Sequence, residues 1–400
     1  MRRHLVKCPG RKNHDISQML LSASGKLIYR EIDQEHYKDL LAIAAIRHEY
    51  PFNYVEHEHL RNVHEYLNPN MKHISRNTLK AVMLRIFRRE RQRIETILHS
   101  VRGKICLTSD MWTSPTTRGY LTLTAHFVDI DWKLHSVVLN FIQVPPPHSA
   151  RNLHNVIYDL LKKWGIEKKI FSITLDNARS NDNMQELLCH SLNVESRLPC
   201  EGKFFHIRCC AHILNLIVQD GLKVIDDSAL SLRDAIKYVD GSEGRKLNFV
   251  DIAKRVGCNL SKGLWLDCVT RWNSTHVMLE RALIYREAFA ALALEDKNFV
   301  WNLEAEEWVK IEKIVALLRP FSEITTLFSG TTYPTANLYF ANVWNIELTL
   351  LKEMNNDEEY IRDMAKSMKE KFNKYWDCYN MVLVLSWTLS TSWIMSGFVT

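Results

Sequence analysis

The sequence predicts a mixed α/β sheet packed with helices, preceded by one helical region and followed by another. Three patterns predict it. Apolar residues recur at helical spacing up to about residue 103, change to period two or short apolar runs from Lys104, and show no strand pattern after Trp272. Between those points the elements run βββαβαβα, and three strands followed by strand–helix alternation imply strands of both directions in one sheet. The 400 residues are 46% hydrophobic and 24% charged, with 13 Gly and 10 Pro, which excludes collagen-like, low-complexity and wholly disordered classes.

Residues 1–35 are polar, with few periodic apolar positions. In residues 36–103, Tyr37, Leu40, Leu41, Ile43 and Ala44 form one helical face and Leu79, Val82, Met83, Ile86 and Phe87 another, with Asn77 as the expected cap of the second helix. KICLTSD (104–110), YLTLTAHFVDID (120–131) and KLHSVVLNFIQV (133–144) read as strands, the last two as a hairpin pair. A helix over Ala150–Trp164 turns Leu153, Val156, Ile157, Leu160 and Leu161 inward. The buried run IFSITLD (170–176), a helix over Asn181–Leu192, the strand FFHIRCC (204–210) and the apolar helix AHILNLIVQDGL (211–222) follow. His276–Leu294, Ala305–Leu327, Thr335–Met354 and Asp357–Tyr379 all read as helices, the second kinked or ended by Pro320.

Charge is unevenly spread. Met71–Lys104 carries ten basic side chains against Glu90 and Glu95, a surplus of eight where the whole chain has a net +6. Arg85, Arg88, Arg89, Arg91 and Arg93 cluster on one helix. Such a run is either a solvated face or a phosphate-contacting one that gives affinity without sequence choice. Nine cysteines at irregular spacing suggest a reduced intracellular compartment rather than a disulfide scaffold. The amino terminus has no apolar core long enough for a signal peptide, and Ser and Thr interrupt the apolar stretch Met381–Val399, so no membrane association is expected.

Asp110 and Asp176 each close an apolar strand. A single such aspartate reads as a turn or helix cap. The pair says more, because in a βββαβα order the first and fourth strands commonly lie side by side, bringing both carboxylates to one edge. Like charges held close need neutralising, and Mg2+ suits hard oxygen ligands and can bridge them to phosphate. This is the arrangement of an RNase H-like nuclease or transposase core.

The segments KICLTSDMWTS (104–114), ITLDNARSNDNM (173–184), IRCCAHILNLIVQDGL (207–222) and VTRWNSTHVMLERAL (269–283) together resemble the hAT transposase superfamily, most of all its domesticated plant group named after DAYSLEEPER and RICESLEEPER. YPFNYVEHEHLRNVHEYLNP (50–69) is similar to that group's Pro-Phe segment. The resemblance implies an RNase H-like core interrupted by an all-helical insertion. It implies that Asp110 and Asp176 are two members of an acidic triad holding Mg2+, that His212 lies at the active-site edge, and that Trp272, beside Arg271, stacks on a flipped base. Burial as the anchor of the first insertion helix is the alternative for Trp272. His4 and Cys8 resemble the last two ligands of a BED zinc finger. A structural Zn2+ needs four ligands, so zinc is expected only where a preceding Cys pair exists. The cluster Cys200, His206, Cys209, Cys210 and His212 lacks finger spacing and is not read as a zinc site.

The division expected is a finger remnant and linker with poor order (1–35), a basic helical region (36–103), an incomplete RNase H-like core (104–272), the helical insertion (273–385) and an aberrant tail (386–400). The triad's glutamate and a dimerisation segment are expected after the insertion, and the sequence given contains neither. The expected function is that of a nuclear, transposase-derived DNA-binding protein without transposition activity, acting in transcriptional regulation or development. The alternatives are an active hAT transposase or Mg2+-dependent nuclease in a longer isoform, and a non-functional truncated transposon product. Self-association belongs to the longer family members.

Overall fold

The computed structural model describes residues 19–21, 27–29, 32–196, 198–223, 226–268, 271–301, 303–330, 333 and 335–376, and the chain divides into two compact units, Met1–Ser100 and Val101–Thr400. His4, Cys8, the apolar stretch Met381–Val399 and the tail 386–400 lie outside the described residues. Among those described, no helix is long and apolar enough to cross a membrane.

In the first unit β1 (Met19–Leu21) and β2 (Leu27–Tyr29) pair antiparallel. Helix α1 (Gln34–His48) starts where Asp33 Oδ1 accepts from the N–H groups of Glu35 and His36, both at 3.0 Å, satisfying two donors that the helix itself cannot. A single 3₁₀ turn (Phe52–Glu56), α2 (Glu58–Leu67) and the long α3 (Arg76–Ser100) follow. The cap of α3 is Ser75, whose Oγ accepts from Thr78 N–H at 3.3 Å, rather than the expected Asn77. Leu41, Ala42 and Ala45 of α1 pack with Leu79, Val82 and Ile86 of α3. Leu40, Ile43 and Phe87, expected in the apolar faces, are exposed instead. Ala42 and Ala45 let the helices approach closely, and that approach turns the bulkier neighbours outward.

The basic run is partly neutralised. Arg85 reaches Glu35 (2.9 Å) and Asp39 (2.6 Å) on α1, Arg76 reaches Glu56 (2.6 Å), and Arg93 reaches Glu90 (2.8 Å). Arg89 adds contacts to Asp39 and Glu90. A count along one segment missed acids that the fold brings in from another helix. Arg88 is exposed and has no ion pair among the described residues.

The second unit holds a five-stranded sheet in the order β5-β4-β3-β6-β7. Strands β3 (Ile105–Thr113), β4 (Gly119–Val128) and β5 (Leu134–Val144) form an antiparallel meander. Strands β6 (Ile170–Leu175) and β7 (His206–Arg208) run parallel to β3, as their helical crossovers α4 (Ala150–Trp164) and α5 (Arg179–Ser196) require. On β4 every second residue, Leu121, Leu123, Ala125 and Phe127, is buried. The intervening Thr122, Thr124 and His126 are only half-buried, so one sheet face is packed and the other is open.

After Arg208 the described residues are helical: α6 (Cys210–Leu222), α7 (Asp226–Asp240), α8 (Glu243–Arg255), α9 (Trp272–Ile284), α10 (Arg286–Glu295), α11 (Ala305–Phe328), α12 (Ala336–Glu353) and α13 (Glu359–Trp376). One apolar core runs from Ile213 to Trp376. Among the described residues the last strand ends at Arg208, α6 begins at Cys210, and Trp272 opens α9 within this helical core. Pro320 neither ends nor divides α11, which continues to Phe328.

Inside this core Asp267, 1% exposed, accepts a bidentate Arg233 guanidinium (2.9 Å) and the Thr275 hydroxyl (2.6 Å). Burial alone would raise its carboxyl pKa; the Arg233 charge and these hydrogen bonds hold it below the usual range. Trp272, 2% exposed, packs in the same core. Trp272→Ala is expected to cost about 3–5 kcal/mol in denaturant unfolding, the range for a buried aromatic.

His276 is buried, and that burial lowers its pKa against the opposing pull of Glu280, Glu323 and the Val315 backbone. A histidine with a depressed folded-state pKa stabilises above its unfolded value of about 6.5 and loses that contribution as pH falls toward the folded value. Melting temperature should fall as the pH drops below about 6.5, and His276→Phe should flatten that acid limb.

Candidate functional site

The parallel pairing of β3 with β6 aligns Cys106 with Ser172 and Thr108 with Thr174. Two residues further on, each strand reaches its aspartate, and Asp110 and Asp176 open into one cleft of about 410 Å³. Thr108, Thr122, Thr124 and Thr174 line its floor, and Cys209 and His212 its wall. The register explains the threonines, since Thr124 faces Thr108 and Thr122 faces Asp110 across β4.

Asp176 combines both roles considered for it. Its Oδ1 accepts from Ala178 N–H (3.0 Å) and from Asn181 Nδ2 (2.5 Å), fixing the turn into α5, while the carboxylate faces the cleft. Arg208 braces that turn from β7, donating to Asn177 Oδ1 (3.3 Å) and pairing with Asp182 (2.9 Å). Burial and then the negative charge of Asp176 push the Asp110 pKa up; the Met111 N–H and the charge of His212 pull it down. The net rise means that Asp110 carries unfavourable charge in the folded protein.

Helix α6 begins at this cleft. Cys209 N–H donates to Leu175 O (2.8 Å), which sets the helix start beside Asp176 and places His212 on the first turn. One turn later Asn215 Oδ1 accepts from the Trp272 backbone N–H (3.4 Å), so α9 starts against the part of α6 next to His212. Arg271 is exposed at that start. The buried Trp272 indole offers no free face to a base in this conformation. This burial is what the anchor alternative expects. Farther along α6, Gly221 lies flush against α13: a Cβ there would fall 2.6 Å from Met368 Cγ.

Burial raises the thiol pKa of Cys209 and sends that of Cys210 well up, so these cysteines are poor thiolate donors. Among the described residues no group of three His, Cys, Asp or Glu side chains is placed to hold a metal ion. The donor set of the cleft is two carboxylates among hydroxyls, which suits a hard cation. The four threonines and Asn181 were not singled out from the sequence; the alternation in YLTLTAHF carried the signal for two of them.

Family models match three stretches: the ZBED1 RNase-like domain over residues 108–204, the ZBED1 RNase-like helical domain over 207–317, and the hAT-like transposase, RNase-H fold, over 337–390. The second begins where the sheet ends. The chain belongs to the hAT transposase-derived family. It is similar to two zinc finger BED domain-containing proteins of Oryza sativa, RICESLEEPER 2 (32% identity, 88% of this chain and 49% of that protein) and RICESLEEPER 1 (31%, 96% and 57%). DAYSLEEPER of Arabidopsis thaliana is 28% identical over 90% of this chain and 51% of its own length. The chain thus spans about half the length of the curated relatives it matches.

Because the folded-state pKa of Asp110 lies above its unfolded value, its charge opposes folding at neutral pH and is silent below the unfolded value. In chelator-containing buffer, Asp110→Asn should raise the melting temperature at pH 7. The gain should fade as the pH drops through the Asp110 folded-state value and vanish below about pH 3.9. With Asp110 intact, Asp176→Asn should move the Asp110 titration, followed by carboxyl NMR, to lower pH than in the wild type.

Proposed function

We propose that this hAT-derived chain is a DNA-binding protein of the nucleus that acts by occupying DNA rather than by transposing it, with any effect on transcription or development following from that occupancy. The observation that carries the reading is the Asp110–Asp176 cleft, where two carboxylates held on adjacent strands call for a cation and a phosphodiester is its fitting second partner. Asp110 and Asp176 would hold Mg2+, which would supply positive charge to a DNA phosphate there. The relatives' names, zinc finger BED domain-containing proteins among them, point the same way. Zn2+ binding by His4 and Cys8 and self-association would belong to a longer protein.

The basic helix adds affinity through its exposed arginines. Arg88 and Arg91, both exposed, are expected to contact phosphate, whereas Arg85, held by Glu35 and Asp39, braces α1 against α3. Each phosphate neutralised adds about 0.9 to the slope of log affinity against log salt.

Fluorescence anisotropy with duplex DNA tests this reading. Binding should weaken steeply as salt rises, and Arg88→Ala should reduce the slope by about one phosphate's share. Arg85→Ala should mainly lower thermal stability. Mg2+ should tighten binding in the wild type and not in Asp110→Asn. Salt-independent binding would refute the phosphate contacts. The retained carboxylate pair favours a second reading, a Mg2+-dependent nuclease: cleavage of duplex or hairpin DNA that Asp110→Asn abolishes would establish it and overturn occupancy without cleavage.

A further inference from the structure

Trp112 lies two residues beyond Asp110 on β3 and therefore on the same sheet face. Its cross-strand partner is Tyr120, and Phe141 of β5 stands opposite Thr122, which stands opposite Asp110. The three rings form one cluster. Tyr120 and Phe141 are stacked at 5.3 Å and 10°, Trp112 and Phe141 are 5.4 Å apart, and Trp112 and Tyr120 6.5 Å. Phe141 is 58% exposed and Trp112 40%.

The buried side of the sheet is built from residues such as Leu121 and Leu123, while this face carries, beside the rings, threonines, His126 and an exposed Val138. Just past the rings, the β3–β4 turn is held by Ser114 N–H to Arg118 O (2.9 Å) and Arg118 N–H to Ser114 Oγ (3.2 Å). It presents an exposed Arg118 that makes no ion pair among the described residues. Along β3 the open face therefore runs from a carboxylate that seeks a cation, over three rings, to a fixed turn bearing a positive charge.

We propose that Trp112, Tyr120 and Phe141 form a stacking platform for unpaired nucleobases of a DNA strand whose backbone passes between the Asp110 cleft and Arg118. This rests on the DNA-binding reading and adds the form of DNA engaged. Ring faces hold bases without regard to sequence, whereas bases in a duplex are stacked on one another and cannot reach the rings. Three partly exposed rings present at most a few hundred Å², below the roughly 800 Å² per partner of a stable protein interface, which favours a strand over a second protein.

The full chain is titrated by anisotropy with a labelled blunt duplex and with the same duplex carrying a single-stranded tail. The wild type should prefer the tailed form. Phe141→Ser and Trp112→Ala should each weaken tailed-duplex binding roughly 5- to 100-fold, the range for loss of a stacked base, and leave blunt-duplex binding unchanged. Phe141→Tyr should restore the preference, which a merely structural role for this exposed position would not demand. Equal binding of both duplexes by the wild type, or equal losses on both in folded variants, overturns the platform while the DNA-binding reading stands. A dimer seen by sedimentation and dissolved by Phe141→Ser also overturns it, assigning the rings to a protein interface. Binding to neither duplex overturns the DNA-binding reading and the platform with it.

Discussion

The site depends on one parallel strand pairing. Strand β3 is held antiparallel to β4 on one side and parallel to β6 on the other, and only the parallel side brings a second strand's carboxyl end to Asp110. The helical crossover through α4 makes that possible, since a strand cannot return parallel to its neighbour by a tight turn. Ser149 Oγ caps the start of α4 and Gly165, at φ 63°, ends it, so the length of the crossover is fixed locally by two residues. Asp176 then arrives beside Asp110 whatever the charges prefer. The raised Asp110 pKa is the consequence of the fold imposing a pairing that the two side chains alone would avoid.

Helix α6 carries the effect of that pairing into the rest of the unit. Its N-cap residue Cys209 is tied to the end of β6, its second turn meets the start of α9, and its far end is clasped by α13. Ser367 Oγ donates to Asp220 O (3.3 Å), and Lys371 pairs with the Asp220 carboxylate (2.8 Å). The same helix that carries His212 is thus in contact with both α9 and α13. The buried Asp267–Arg233 pair ties α7 to α9, since Asp267 also accepts from the Thr275 hydroxyl. Breaking one partner would leave an uncompensated charge in an apolar core, which is far more costly than the pair itself is favourable.

Much of this was legible in the sequence, and the failures share a cause. The range Ala150–Trp164 coincides with α4, and the run IFSITLD overruns β6 by one residue, because helical periodicity and a short apolar run mark them. The adjacency of Asp110 and Asp176 was also legible, because it follows from element order alone. What escaped depends on which partner an element meets. Ala42 and Ala45 decide which side of α1 faces inward, Glu35 and Asp39 neutralise arginines some fifty positions away, and Trp272 is buried in a core drawn from both earlier and later helices. None of these is visible in a window of one helix.

The threonine face follows from competing demands on a strand. A strand at an active-site face needs residues that favour extended backbone but do not require burial. Threonine meets both, having the branching of valine and a hydroxyl that water or a ligand can satisfy. On β4 the alternation of Leu121, Thr122, Leu123 and Thr124 keeps the strand in register, since a slip by one residue would bury the hydroxyls and expose the leucines. The same constraint makes the aromatic cluster informative. Tyr120 and Trp112 also favour strands, but they expose apolar area that threonine would not, and Phe141 lacks even a hydroxyl. Strand propensity accounts for their place in the sheet, and the proposed stacking would account for three rings being grouped on its open face.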